Sequence, residues 1–473
     1  MSFQRILIAN RGEIAIRIAK AASDLGIKTL AVYSEDDINS LHIKIADEAR
    51  MLDGTGVPSY LNAEDIIQIA SSSECDAIHP GYGFLAENPN FAKACQNRGI
   101  TFIGPNIEHL ALFGNKNVAK QAAVDAGVPV IQGIDRGATF EEVVEFFDSL
   151  PENKGVMLKA VAGGGGRGSR AVLKREDLER SFRRCKSEAK RSFGNDDIYV
   201  EEFLAKTRHI EVQIVGDNDG NVVHLWDREC SVQRRFQKLV EIAPAPNMPK
   251  ELRRRIIDSA MRLAENVGYS NVGTFEFLVH SDKSGEEEPF VFIEANARLQ
   301  VEHTVTEEVT GIDIVQTQIQ IAEGASISDL GIREKSTLPP VGFAIQTRVN
   351  METLTSAGNI RPSSGELEAY DPPRGPGVRT DGCGYTTYTP NPSFDSLLAK
   401  VIVHADSDQI LQAVRKSLRA LSEFRIEGVQ TNISFLRNVL MHEDFQKGRV
   451  HTTWVDENIR SLVDTSDHPQ NGE

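Results

Sequence analysis

The period of the hydrophobic pattern changes once along this chain, and the change restricts the fold sharply. In the first hundred residues, short apolar runs alternate with a helical pattern: RILIAN (5–10), GEIAIRIAKAASDLG (12–26), KTLAVYS (28–34), CDAIHPG (75–81) and ITFIGP (100–105). Strands that alternate with helices pair in parallel through crossovers, so residues 1–113 are expected to form a doubly wound, Rossmann-like sheet. From about residue 204 the runs lengthen and alternate apolar with polar, as in RHIEVQIV (208–215). That pattern predicts antiparallel strands with two unlike faces. Between these regions, 114–131 reads as a connecting helix and 132–203 as a small α/β unit. A core follows at 204–334, then a β-rich section at 335–455 ending in two helices, and a flexible polar tail at 456–473. The fold class is therefore mixed, α/β at the start and α+β after it.

Residues 162–170 read AGGGGRGSR, between GVMLKAV and AVL, so the glycines are expected to turn a hairpin. A bare backbone costs entropy to order, but it lets N–H groups approach a phosphate closely. No lysine and hydroxyl close a GxxxxGK[ST] loop, and AVLKREDLE is not the apolar helix start that follows a dinucleotide fingerprint. A plain Gly/Ser linker rarely carries arginines such as Arg167 and Arg170.

The net charge of −16 argues against general binding to nucleic acid or an anionic membrane, and it leaves room for a local basic cluster. Cys75, Cys95, Cys185, Cys230 and Cys383 form no CxxC pair, so reduced thiols in a cytoplasm-like compartment are expected, with no zinc site. No apolar run reaches the roughly 18 residues of a membrane span. The N-terminus is too interrupted by charge for a signal peptide.

Candidate chemistry concentrates in VFIEANARLQVEH (291–303). Read as one extended strand, it puts Glu294, Asn296, Arg298, Gln300 and Glu302 on one face, and Ile293, Ala295, Ala297, Leu299 and Val301 on the other. A solvated strand face would also alternate, but this one carries carboxylates, amides and a guanidinium with no lysine or threonine filler. Glu276 is the only charge in TFEFLV (274–279), and a lone buried carboxylate is costly unless paired or on a metal. Glu276 and Glu294 together could hold one divalent ion, which for magnesium would be shared with substrate phosphates. Lys116, Lys159 and Lys238 offer positive charge. A single lysine is ordinarily a solvated surface group, but Lys159 and Lys238 sit among apolar, strand-like neighbours.

These segments together resemble the ATP-grasp enzymes and, within them, the biotin carboxylases. LIANRGEIAIRI, IHPGYGFLAEN, KAVAGGGGRG, RHIEVQI, RECSVQRRFQKLVEIAP and VEHTVTEEVTGIDIV occur in that family's order over residues 1 to about 455. The resemblance implies an ATP-grasp lid at 132–203, an ATP-grasp catalytic core at 204–334 and a biotin carboxylase C-terminal domain at 335–455. It implies that bicarbonate attacks the γ-phosphate of ATP to give carboxyphosphate, whose carbon dioxide is captured by biotin. Lys116, Lys159, Glu201, His209, Gln233 and Glu276 would hold ATP, with Leu204 near the adenine and Gly165 and Gly166 over the phosphates. Glu276 and Glu294 would bind Mg2+ or Mn2+, with Asn296 beside them. Lys238, Arg298, Gln300 and the backbone of Val301 would hold bicarbonate, and Glu302 would be the base. Arg348, in FAIQTRVN, would stabilise the enolate-like oxygen of biotin, and Tyr82 would lie near it.

The implied partners are a biotin carboxyl carrier protein or domain, since no AMKM-like attachment lysine is present, a carboxyltransferase subunit or domain, and a second copy in a homodimer. The final acceptor stays open among acetyl-CoA, other acyl-CoAs, pyruvate and urea. Phe236, Glu202 and Ser169 depart from the histidine, lysine and methionine usual in bacterial subunits, and YTTYTPNP (385–392) is longer than usual. A carbamoyl-phosphate synthetase-like ligase would share the lid and the two metal glutamates, but Lys238, the RLQVEH row and Arg348 suit bicarbonate and biotin better. A non-catalytic nucleotide-binding domain would be expected to lose such costly buried charges. A dehydrogenase reading fails because ANRGE lacks the glycine fingerprint.

Overall fold

The computed structural model describes residues 2–134, 136–151, 154–161, 169–280 and 289–463. Gly165 and Gly166 lie outside the described residues, so the predicted phosphate contact of the glycine loop falls there too.

The first sheet is parallel throughout, with strand order β3-β2-β1-β4-β5. Its strands are β1 (Arg5–Ile8), β2 (Lys28–Tyr33), β3 (Glu48–Met51), β4 (Ala77–His79) and β5 (Thr101–Phe102). Ile6, Leu7 and Ile8 are fully buried, as a strand covered on both faces requires. The sequence reading omitted β3, because EARM has no apolar run; it is a half-exposed edge strand held only by β2. The connecting helix is shorter than read. It spans Lys116–Asp125, follows a separate helix Ile107–Gly114, and is capped by the Asn115 side chain accepting from the N–H of Asn117 and Val118.

A second, four-stranded sheet has the order β6-β9-β7-β8, with β6 (Gly133–Ile134), β7 (Gly155–Ala160), β8 (Ser169–Val172) and β9 (Ile198–Phe203). β7 and β8 pair antiparallel with Lys159 opposite Ser169, which is the expected hairpin around the glycines. The helix Leu178–Phe193 packs on it through Leu178, Phe182 and Cys185.

The third sheet has eight antiparallel strands in the order β14-β13-β10-β11-β12-β15-β20-β19. They are β10 (Thr207–Gly216), β11 (Val222–Arg234), β12 (Gln237–Ala243), β13 (Asn271–His280), β14 (Phe290–Asn296), β15 (Phe343–Asn350), β19 (Val378–Gly382) and β20 (Leu397–Ala405). Two small ribbons, β16 (Glu352–Leu354) with β17 (Ile360–Pro362) and β18 (Ala369–Asp371) with β21 (Arg425–Glu427), complete the strands. Because β12 pairs with β15, this sheet runs unbroken from the 204–334 segment into the 335–455 segment.

Two expectations are corrected here. The strand read over 291–303 ends at Asn296; the chain then leaves the sheet and enters the helix His303–Thr310. Ala297 and Leu299 are nevertheless buried in the core, so apolar residues continue at a spacing of two although the loop buries its polar Gln300 and Glu302 as well. The tail read from 456 is a helix, Trp454–Val463, out to its last described residue. WVDENIRSLV places Trp454, Val455 and Leu462 on one face, and all three are buried.

Candidate functional site

Loops of the first sheet, the second sheet and the face of the third line one cleft of about 1230 Å³. Every candidate residue that the structure describes lines it, from Tyr82 and Lys116 through the 294–302 segment to Arg348.

The cleft is organised by a row across four adjacent strands. Arg228 on β11 faces Glu211 on β10, Glu211 faces Glu276 on β13, and Glu276 faces Glu294 on β14. Directly opposed residues of antiparallel strands share a face, so three carboxylates stand side by side. Like charges in that position repel, and cations compensate them. Arg228 is fully buried, pairs with Glu211, and donates to Gln213 Oε1 (2.8 Å), Thr306 Oγ1 (3.0 Å) and Thr274 Oγ1 (3.0 Å). Lys238 Nζ lies 2.7 Å from Glu211, 3.1 Å from Glu276 and 2.6 Å from Glu302. These three carboxylates hold the ammonium pKa well above its ordinary value, against the opposing effect of burial.

This arrangement decides where a divalent cation could sit. Donor atoms of His209, Glu211 and Glu276 lie within 4.8 Å of one another. Lys238 already bridges Glu211 and Glu276, so that side of the row is taken by an ammonium group. The other side is Glu276 Oε2, 2.8 Å from His209, together with Glu294, whose side chain is 40% exposed to the cleft with Lys116 Nζ at 3.5 Å. Two adjacent carboxylates opening onto a cleft suit a magnesium ion that keeps other ligands from its substrate. Lys159 Nζ reaches Glu201 Oε2 at 2.5 Å from the neighbouring sheet, and Gln233 Nε2 lies 3.3 Å from His209 Nδ1. Leu204 is buried against the same cleft.

The 296–302 segment converges although it is not a strand. Asn296 and Gln300 donate to Glu276 Oε1 at 2.7 and 2.9 Å. Arg298 in turn donates to Asn296 Oδ1 and Gln300 Oε1, both at 2.9 Å, and its Nε lies 2.9 Å from Glu87. The guanidinium is thus fixed in plane by two amides and a carboxylate. Glu302 is 1% exposed and stands at the residue before the helix His303–Thr310, its side chain turned to the cleft cations and not to the helix N–H groups. Burial alone would raise its pKa, but Lys238, Arg348 and Arg228 hold it well below the ordinary carboxylate range. Arg348 Nη2 lies 3.1 Å from Glu302 Oε2, and its Nε lies 2.6 Å from Glu241 Oε1. The Tyr82 hydroxyl donates to Glu13.

Sequence reasoning did not single out Arg228, Glu241 or Glu87, and it left Glu211 as one residue of a polar face. Glu241 carried the signal that exposed Glu276, a single carboxylate in an apolar strand (KLVEIA), and Arg228 sits amid the mixed run LWDRECS. Of the departures, Phe236 occupies the tip of the β11–β12 hairpin with Arg235, both at positive φ, and is 52% exposed. Glu202 pairs with Lys154, and Ser169 opens β8. All three line the cleft. The long YTTYTPNP segment ties the C-terminal section to the first domain: Tyr385 Oη donates to the Asn39 carbonyl at 2.7 Å and Asn391 Nδ2 to Asp36 at 2.8 Å.

Comparison with known proteins places the chain in a family. Family models match residues 2–110 (biotin carboxylase, N-terminal domain), 115–330 (carbamoyl-phosphate synthase L chain, ATP binding domain) and 346–457 (biotin carboxylase C-terminal domain). Pyruvate carboxylase 1 of Caenorhabditis elegans is 48% identical over 460 residues, 96% of this chain but 38% of that protein. The chain therefore spans well under half the length of this relative. The biotin carboxylase domain of Hydrogenobacter thermophilus 2-oxoglutarate carboxylase, solved as a dimer with MgADP, ADP and bicarbonate, is 39% identical with a TM-score of 0.90, covering 99% of this chain and 100% of that one. Campylobacter jejuni biotin carboxylase, solved with a β,γ-ATP complex, is 40% identical with a TM-score of 0.89, covering 96% and 99%. The ATP-binding model is described for carbamoyl-phosphate synthase, but the models on both sides of it are those of biotin carboxylase, and the solved relatives match across all three regions. The chain belongs to the biotin carboxylases, ATP- and magnesium-dependent ligases that act on biotin.

Proposed function

We propose that this chain carboxylates biotin with bicarbonate and ATP, as the first half-reaction of a longer carboxylase. The observation that carries the reading is the buried Glu302 carboxylate, held between Lys238 and Arg348 beside the planar Arg298 clamp. Lys238, Arg298, Gln300 and the Val301 backbone hold bicarbonate, and a guanidinium fixed in plane can meet two of its oxygens at once. Glu302 takes the bicarbonate proton as the bicarbonate oxygen attacks the γ-phosphorus and ADP leaves, giving carboxyphosphate. An anion that shares Lys238 weakens the hold of that ammonium on Glu302, which raises the basicity of the carboxylate when it is needed.

Lys116, Lys159, Glu201, His209 and Gln233 position ATP against Leu204, with Gly165 and Gly166 assigned to the phosphates from the sequence. Glu276 and Glu294, with Asn296, would hold magnesium, which neutralises charge on the transferring phosphoryl group. Carboxyphosphate then breaks its C–O bond to phosphate and releases carbon dioxide; the freed phosphate takes the proton of the ureido N–H, and the ureido nitrogen bonds to the carbon of carbon dioxide to give carboxybiotin. Arg348, fixed by Glu241, stabilises the oxygen of the deprotonated ureido group, and Tyr82 flanks it. Closure of the 132–203 unit over the site would keep carboxyphosphate from water.

Biotin arrives on a carrier protein or domain, and a carboxyltransferase elsewhere uses the product, consistent with the much greater length of the pyruvate carboxylase relative. Among the acceptors left open, the 2-oxo acids named for the pyruvate and 2-oxoglutarate carboxylase relatives have more support than an acyl-CoA. A homodimer is proposed on the pattern of the solved dimeric relative. All five cysteines are buried and none is in a disulfide, which supports a reducing compartment such as the cytoplasm.

The deciding experiment is ADP release with magnesium, with and without bicarbonate and free biotin. Bicarbonate dependence with biotin stimulation supports the proposal, and ATP turnover indifferent to both overturns it.

A further inference from the structure

Lys400 is fully buried in the middle of β20, the one charged residue in LLAKVIV. It lies directly opposite Arg348 on β15 and Asp381 on β19, so its side chain shares their face. Its Nζ is 3.0 Å from Glu13 Oε2 and 3.1 Å from the Val301 carbonyl oxygen. Glu13 lies in the first turn of the helix Gly12–Asp24, is buried, and accepts the Tyr82 hydroxyl on its other oxygen. One ammonium therefore joins the strand beside Arg348, the loop that carries Glu302, and the loop that carries Tyr82.

The contact with Val301 matters because the 297–302 stretch has left the sheet and has no ladder to orient its peptides. Side chains supplement the backbone contacts of the helix start here: Leu299 O accepts from Arg298 Nη1 at 3.2 Å, Gln300 O from His303 Nδ1 at 2.7 Å as well as from the His303 N–H at 3.3 Å, and Val301 O from Lys400 Nζ at 3.1 Å. Fixing the Val301 carbonyl fixes the Val301–Glu302 peptide plane, and with it the point from which the Glu302 side chain leaves the backbone. A buried ion pair adds little stability over a well-packed apolar pair of similar volume, so stability alone does not account for this one.

We propose that Lys400 is a positioning residue that sets Glu302 and Tyr82 relative to each other, so that bicarbonate activation and biotin placement share one anchor. The inference rests on the roles proposed above for Glu302 and Tyr82. Lys400 itself touches no reacting atom.

The test compares the full chain with two variants. Lys400→Met with Glu13→Gln removes both charges while keeping packing volume and an acceptor for Tyr82. Lys400→Arg keeps the charge pair, but its planar fork does not reproduce both contacts of a compact ammonium. Thermal midpoint, KM for ATP, KM for bicarbonate, and the biotin stimulation of bicarbonate-dependent ADP release are measured for each. Expected for both variants is a KM for ATP within about twofold of the parent, a bicarbonate KM raised about tenfold and biotin stimulation lowered about tenfold. Parent-like bicarbonate KM and biotin stimulation in a folded variant overturn the proposal, because the pair would then serve folding alone. If the double variant does not fold, Lys400→Arg decides by the same criterion. A parent without bicarbonate-dependent ADP release overturns the functional reading itself, and this inference with it.

Discussion

Glu302→Gln separates chemistry from architecture more cleanly than any other substitution in the cleft. The amide has nearly the shape of the carboxylate, so the packing of this 1% exposed side chain is kept. Loss of a positioned base lowers turnover by about 10²- to 10⁴-fold, or about 3–5 kcal/mol of transition-state stabilisation. The cost in stability is smaller, because neither cation is stranded. Lys238 keeps Glu211 and Glu276, and Arg348 keeps Glu241. The loss should therefore fall below the roughly 3–5 kcal/mol of an uncompensated buried charge. The assay is ADP release at saturating MgATP with varied bicarbonate, alongside calorimetric titration of MgATP and the thermal midpoint. Nucleotide affinity within about threefold of the parent with turnover down at least about a hundredfold is the expected result. Equal loss of nucleotide affinity and turnover would mean that Glu302 holds the site together, and turnover within tenfold would mean that another group is the base.

Arg348→Met should lower biotin carboxylation about a hundredfold more than biotin-independent ATP hydrolysis, since it removes the group assigned to the biotin oxygen; parallel loss in the two assays would contradict that role. It also strands the fully buried Glu241, so the denaturation midpoint should fall by an amount equivalent to about 3 kcal/mol. Glu294→Gln, at a 40% exposed position, should change stability by less than about 1 kcal/mol while raising the magnesium concentration for half-maximal turnover. An unchanged magnesium requirement would remove Glu294 from the metal site. His79 and His303 are buried, and burial depresses each pKa to about 3. Both stay neutral in the fold while the unfolded chain takes up protons below its ordinary value, so their contribution is complete above about pH 6.5 and is lost as pH falls towards 3. From pH 7.5 to 5.5 each should cost about 1 kcal/mol, read by urea unfolding at the two pH values. A midpoint that does not move would mean that these rings are solvated.

What the sequence revealed of this site depended on how each residue contrasts with its neighbours. Glu276 stood out because a single carboxylate in TFEFLV has no plausible solvated role, and β13 does place it at the centre of the row. The same contrast exists for Glu241 in KLVEIA and Lys400 in LLAKVIV. Their partners come from strands that only the three-dimensional pairing brings alongside, so nothing local marked them as part of a site. The 291–303 stretch was legible in its side chains and misread in its backbone. The spacing of Ala297 and Leu299 imitates a strand, although they pack in two different core clusters rather than under one sheet face. The parallel first sheet was legible because its strands are apolar on both faces, whereas the edge strand β3 had no apolar signal to give.

The charge of −16 and a cleft suited to two anions are reconciled by how the cations are held. Lys238 has three carboxylate partners, Arg298 has Glu87, and Arg348 has Glu241 and Glu302. On the roles proposed above, an incoming bicarbonate would exchange partners with groups already aimed at its place, without waiting for long side chains to reorient. Such exchange keeps the reorganisation term small, which is where preorganised sites gain over water. It also keeps anion affinity modest, because each contact to bicarbonate weakens a contact to a glutamate. The glutamate most affected is Glu302, since two of the cations that depress its pKa, Lys238 and Arg348, are those assigned to the substrates. On the roles proposed above, occupancy by substrate and basicity of the base would be linked through the same two side chains, because an anion that shares either cation weakens its hold on the carboxylate.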